Sequence, residues 1–122
     1  MFNSAHRLRV ALLLLLASFV PGLALAHARL VGAQPAANSS LTAPKMIRLQ
    51  FSERIAKRFS SFRLTDTHGN PVALMSMDSG DVRSLAAMPT MALDAGVYTV
   101  SWVAVSTDDG HRTMGSYSFT VQ

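Results

Sequence analysis

Apolar and polar residues alternate along most of this chain with a period of two, the spacing that sets one face of a β-strand against a core and the other in water. Over residues 46–53, Ile47, Leu49 and Phe51 fall on one side while Arg48, Gln50 and Ser52 fall on the other. Similar patterning predicts strands at 29–33, at 61–66 with Phe62 and Leu64 inward, and at 72–77. Tyr98, Val100, Trp102 and Ala104 mark another, and Tyr117, Phe119 and Val121 share a face in a last strand at 116–121. Residues 83–88, ended by Pro89, carry a fainter version of the pattern. Turn chemistry separates these segments: a stretch from Pro35 to Ser40, then Pro44, His68-Gly69-Asn70-Pro71 and residues 78–81. The stretch from Leu93 to Tyr98 has the form of the corner before a central strand in Ig-like sandwiches, where a tyrosine hydroxyl bonds back to nearby backbone. About seven strands without interleaved helices predict an all-β, Ig-like Greek-key sandwich.

The first residues depart from this pattern. Arg7 and Arg9 precede an apolar run over 10–20, Pro21-Gly22 breaks it, and Ala24-Leu25-Ala26 offers small residues for cleavage. That is the anatomy of an export signal, and the run is shorter than the ~20 apolar residues of a spanning helix. Residues 1–26 are therefore expected to be removed, leaving 27–122 as one small exported domain with no stable membrane anchor. The sequence contains no cysteine, so packing rather than disulfides must hold the domain, and thiolate metal sites are excluded. Loss of Arg7 and Arg9 takes the net charge from +4 to +2, a mildly basic surface. Arg54, Lys57 and Arg58 adjoin Glu53 without an aromatic series, which reads as a solvated face and not a nucleic-acid site.

Cleavage after Ala26 makes His27 the first residue, with a consequence for chemistry. A free α-amine and its own imidazole can close a chelate ring on one cation, and a strongly bound divalent ion displaces the amine proton, whose ordinary pKa is about 7.7–8. Near the other end of the chain, Asp109-Gly110-His111 puts a carboxylate and an imidazole two positions apart, on one side of extended backbone. Asp-Gly is also a common turn dipeptide. Asp108 lies three positions from His111 and reads as solvated or as a turn acceptor. His68 reads as an exposed turn residue. Together, His27, Asp109 and His111 offer three nitrogens and one oxygen, a donor set that suits tetragonal Cu(II); zinc is compatible by donor type but favours tetrahedral, cysteine-richer sites.

The start His27-Ala28-Arg29-Leu30, Pro35, the strand Leu49-Gln50-Phe51-Ser52-Glu53, the corner Ala95-Gly96-Val97-Tyr98 with Trp102, and Asp109-Gly110-His111 followed by Gly115-Ser116-Tyr117-Ser118-Phe119 together resemble the CopC family of periplasmic copper-binding proteins. The resemblance implies a cupredoxin-like or Ig-like sandwich in the periplasm that binds one Cu(II) per chain through His27, Asp109 and His111, acts in copper sequestration, transport or resistance, and sometimes works beside a CopD-type inner-membrane protein. Some members also carry a Cu(I) site in a methionine-rich loop. Here Met75 and Met77 lie two apart and Met88 and Met91 flank Pro89, but no Met-x-x-Met-x-x-Met cluster with a histidine is present, so these side chains read as core or edge packing. Two other functions are compatible with the features. A terminal histidine also resembles the copper centre of polysaccharide monooxygenases, although this chain is short for a substrate platform; a metal-free Ig-like interaction module would need only the sandwich. No Gly-x-Ser-x-Gly elbow, His-Glu-x-x-His helix or phosphate loop is present, and the expectation is a binding protein, not an enzyme.

Overall fold

The computed structural model describes residues 27–122; the expected export signal at 1–26 lies outside them. Within the described residues the chain forms nine strands, β1 (Leu30–Gln34), β2 (Ser40–Leu41), β3 (Ile47–Phe51), β4 (Ser61–Thr65), β5 (Pro71–Val72), β6 (Leu74–Met77), β7 (Ser84–Pro89), β8 (Gly96–Val105) and β9 (Arg112–Val121), with one 3-10 turn at Lys57–Phe59. One sheet has the order β1-β3-β7-β6 and the other β2-β9-β8-β4-β5. The all-β sandwich expected from alternation is the observed architecture. Seven of the strands are the expected ones; the count rises to nine through two segments of two residues each.

Two expected boundaries need correction. The single strand expected at 72–77 is divided at Ala73, where the chain leaves the five-stranded sheet and joins β7 in the other. The Ala73 carbonyl accepts the Thr90 N–H at 3.1 Å, which anchors the crossing. The last strand begins at Arg112, not near 116, and pairs with β8 over its whole length. Its first part escapes the apolar-inward rule because Thr113 points inward while Met114 is 66% exposed.

The core follows the period-two pattern. Ile47, Leu49 and Phe51 from β3 are buried against Val100, Ala104, Phe119 and Val121, with Leu64 beside them. Burying side chains of this size contributes about 1.5–3 kcal/mol each. Tyr98 and Phe119 stack at 5.7 Å, and Phe51 meets the half-buried Trp102 edge-on at 5.3 Å. Trp102 needs Gly115 opposite it on β9, since a Cβ there would stand 2.6 Å from the indole. The expected tyrosine corner is present: the Tyr98 hydroxyl donates to the Asp94 carbonyl at 2.8 Å.

Candidate metal centre

The β8–β9 hairpin ends in a loop whose backbone is closed by two hydrogen bonds, Ser106 N–H to the His111 carbonyl and Gly110 N–H to the Ser106 carbonyl, each 2.9 Å. Gly110 has φ of +68°, a conformation that disfavours any side chain although space around it is open. The turn places Asp109 so that its Oδ1 accepts the backbone N–H of His111 at 2.9 Å. That N–H holds the Asp109 carboxyl below the ordinary carboxylate range, and charge on the His111 and His27 imidazoles lowers it further.

His27 reaches this loop because the segment before β1 is pinned from both sheets. Thr113 Oγ1 on β9 donates to the carbonyl of fully buried Ala28 at 2.7 Å. From the end of β3, Ser52 Oγ accepts the Arg29 N–H at 2.9 Å and donates to the His27 carbonyl at 3.3 Å, while Ser52 N–H bonds the Arg29 carbonyl. The outcome is close: the His27 and His111 ring centroids are 3.9 Å apart, with planes tilted by 33°. His27 and His111, separated by most of the domain in sequence, thus lie ring beside ring at one end of the sandwich, with Asp109 bonded to the His111 backbone in the same loop.

The His27 Nδ1 atom is buried and finds no hydrogen-bond partner among the described residues. A buried polar atom left unpaired is costly, of order 1–3 kcal/mol, and Nδ1 is the ring nitrogen that can share a cation with the amine of the same residue. Side chains alone make no cage, since no group of three or more His, Asp or Glu poised around a common point occurs among the described residues. Imidazole nitrogens and a carboxylate are the donor chemistry that suits a borderline divalent ion.

The remaining sequence candidates fall elsewhere. Asp108 is exposed and pairs with Arg54 at 3.3 Å. His68 sits in the β4–β5 turn with its N–H bonded to Asp66 Oδ1; β4 ends at Thr65 opposite Thr99, at the end of β8 remote from the loop. Met75 lies opposite Met88 on the β6 edge and is 53% exposed, and Met91 is 80% exposed, so edge packing describes them and core packing does not. A cleft of about 550 Å³ opens between Phe62, Leu74 and Leu85, away from the histidines.

Four residues that shape the site were not picked out from sequence: Ser52, Glu53, Ser106 and Thr113. Ser106, 1% exposed, donates its hydroxyl proton to Glu53 Oε1 at 2.6 Å and fixes the base of the loop to the end of β3. Thr113 carried a detectable signal, a polar residue two positions after His111 where an inward apolar side chain would be expected.

Comparison with known proteins bears on the whole of the described domain. The CopC domain family matches residues 30–122. The chain is 37% identical over 125 residues to Protein YobA of Escherichia coli (strain K12), covering all of both chains. It is 39% identical over 107 residues to Copper resistance protein C of Escherichia coli, covering 81% of this chain and 84% of that one. Among solved structures it is similar to PcoC, a methionine-rich copper resistance protein from Escherichia coli, with a TM-score of 0.74 and 40% identity over 80% of this chain and 100% of that one.

Proposed function

The chain belongs to the CopC family, and from that premise we propose that it is a periplasmic copper-binding protein that takes one Cu(II) at the His27–Asp109–His111 end of the sandwich. The observation that carries this reading is the buried Nδ1 of His27, without a hydrogen-bond partner among the described residues, set beside the His111 ring. Removal of residues 1–26 would free the α-amine of His27, which with Nδ1 closes a chelate; His111 and Asp109 complete a three-nitrogen, one-oxygen set. Copper is cargo here. The Asp109 carboxyl is held below its ordinary range by the His111 backbone N–H, so on mild acidification protons compete with the metal chiefly at the nitrogen donors. A carboxylate among the donors favours sequestration or transport over turnover. A CopD-type membrane protein is the proposed partner.

The test is a Cu(II) titration followed by paramagnetic resonance on the processed protein and on a version carrying one glycine before His27. The extended version should lose one nitrogen from the copper spectrum and bind more weakly by roughly tenfold or more, as removal of one donor requires. Equal spectra and equal affinity would remove the amine from the site. Mass analysis of the exported protein should show His27 as the first residue.

A further inference from the structure

A free face of an antiparallel sheet is ordinarily polar. The outer face of the five-stranded sheet obeys this only over half its length. Away from the metal loop it carries Thr99, Ser101, Ser116 and Ser118, with the Thr99 and Ser118 hydroxyls bonded at 3.1 Å. Towards the loop it turns apolar: Val103 faces Met114, Val105 follows, and Phe59 overhangs them from the 3-10 turn. Phe59 and Met114 are each 66% exposed.

Three arginines frame this half. Arg63 lines a hollow of about 280 Å³ with Met114 and Val103. Arg112 lines a second, of about 400 Å³, with Phe59, Val105 and Gly110. The two hollows share Ser61 and Val103 and so adjoin as a shallow groove, the second of them reaching Gly110 in the loop that carries Asp109 and His111. The Arg58 guanidinium lies 5.8 Å from the Phe59 ring centroid. Among the described residues these three arginines make no ion pair, whereas neighbouring Arg54 is neutralised by Asp108.

We propose that this groove is a docking surface for an acidic protein segment that presents an apolar side chain flanked by carboxylates. The arginine forks match carboxylates in geometry and charge, and an aromatic, a methionine and arginines are the residue types that concentrate at protein interfaces. The concavity selects a protein over a lipid surface: an inserted side chain fills the hollows, whereas a plane of headgroups bridges them. Its position rests on the copper reading for its meaning, since a partner seated there would lie against the metal loop; the docking itself does not depend on metal.

The experiment follows the amide spectrum of the processed, metal-free protein while an end-blocked peptide of alternating glutamate and leucine is added, with a lysine–leucine peptide and phosphatidylglycerol vesicles in parallel. Saturating shifts at Val103, Val105 and Met114 with the glutamate peptide alone are expected. Arg58→Glu with Arg63→Glu should weaken that binding roughly tenfold or more, as reversal of rim charges does, and leave copper titration unchanged. Shifts scattered elsewhere, binding indifferent to the charge reversals, or tighter binding of the vesicles through these residues would overturn the proposal. Failure of the parent protein to bind copper would defeat the metal reading and leave the peptide result to stand on its own.

Discussion

Replacing Thr113 with valine tests whether the candidate metal centre is built by tethering His27. The Thr113 hydroxyl has one proton and two carbonyls in reach, Ala28 at 2.7 Å and Ala104 at 3.4 Å, so the shorter bond takes it. Valine has nearly the same shape and no proton to give. The Ala28 residue is 0% exposed, and its carbonyl would be left buried without a donor among the described residues. Such a group costs about 1–3 kcal/mol, a large share of the ~5–15 kcal/mol that holds a domain together. Urea unfolding of the metal-free processed protein should show a lower midpoint with an unchanged slope. Thr113→Ser keeps the donor and loses only a methyl, so it should retain most of the stability.

Copper affinity should move with it. The Ser52 tethers survive in the valine variant, so His27 is loosened and not released, and a fall of roughly tenfold is expected, the size seen when a group that orients a ligand is lost. A valine variant as stable as the parent, binding copper equally well, would refute the tethering argument; equal loss in the serine variant would show that the methyl, and not the hydrogen bond, mattered.

Other outcomes can be stated briefly. Asp109→Asn should lower Cu(II) affinity by roughly tenfold or more in a titration, since a neutral amide is a poorer donor to a divalent ion. The same variant should flatten the acid limb of the stability curve, because the depressed Asp109 pKa supplies stability above its ordinary value of 3.8 that is lost as pH falls through the lowered folded value. Tyr117 has a buried hydroxyl without a partner among the described residues, and burial pushes its pKa up to about 12. Its contribution therefore holds below the ordinary value of 10 and is lost as pH rises towards 12; Tyr117→Phe should be neutral or stabilising by up to about 1 kcal/mol at neutral pH and resist alkaline unfolding better. Gly115→Ala would place a Cβ 2.6 Å from the Trp102 ring and should cost about 1–3 kcal/mol, with an altered emission from this single tryptophan.

The alternation of Ile47, Leu49 and Phe51 was enough to orient β3, because a buried face and a solvated face impose opposite residue types on neighbouring positions. Where a position inside the sandwich serves a hydrogen bond, that logic inverts. Thr113 faces inward to bind Ala28 and Met114 faces out, so the start of β9 reads as a loop although it pairs fully with β8. The sheet change at Ala73 was equally hidden, since Val72 and Leu74 look like members of one strand whichever sheet each joins. As candidates, His27, Asp109 and His111 stood out in the sequence because their types are scarce and chemically pointed, and the structure sets the first and last of them ring to ring, whereas Ser52, Glu53 and Ser106 are ordinary polar residues whose importance lies in what they touch.

That division has a physical basis in how the His27 segment is held. Ser52 follows β3 in one sheet and Thr113 belongs to β9 in the other, so the segment is fastened to both layers at once. The separation of the sheets, set by Phe51, Val100, Ala104 and Phe119 in the core, thereby fixes how near the His27 ring comes to His111. The candidate donors stand out in the sequence one residue at a time; the nearness of the His27 and His111 rings is a property of the packed sandwich.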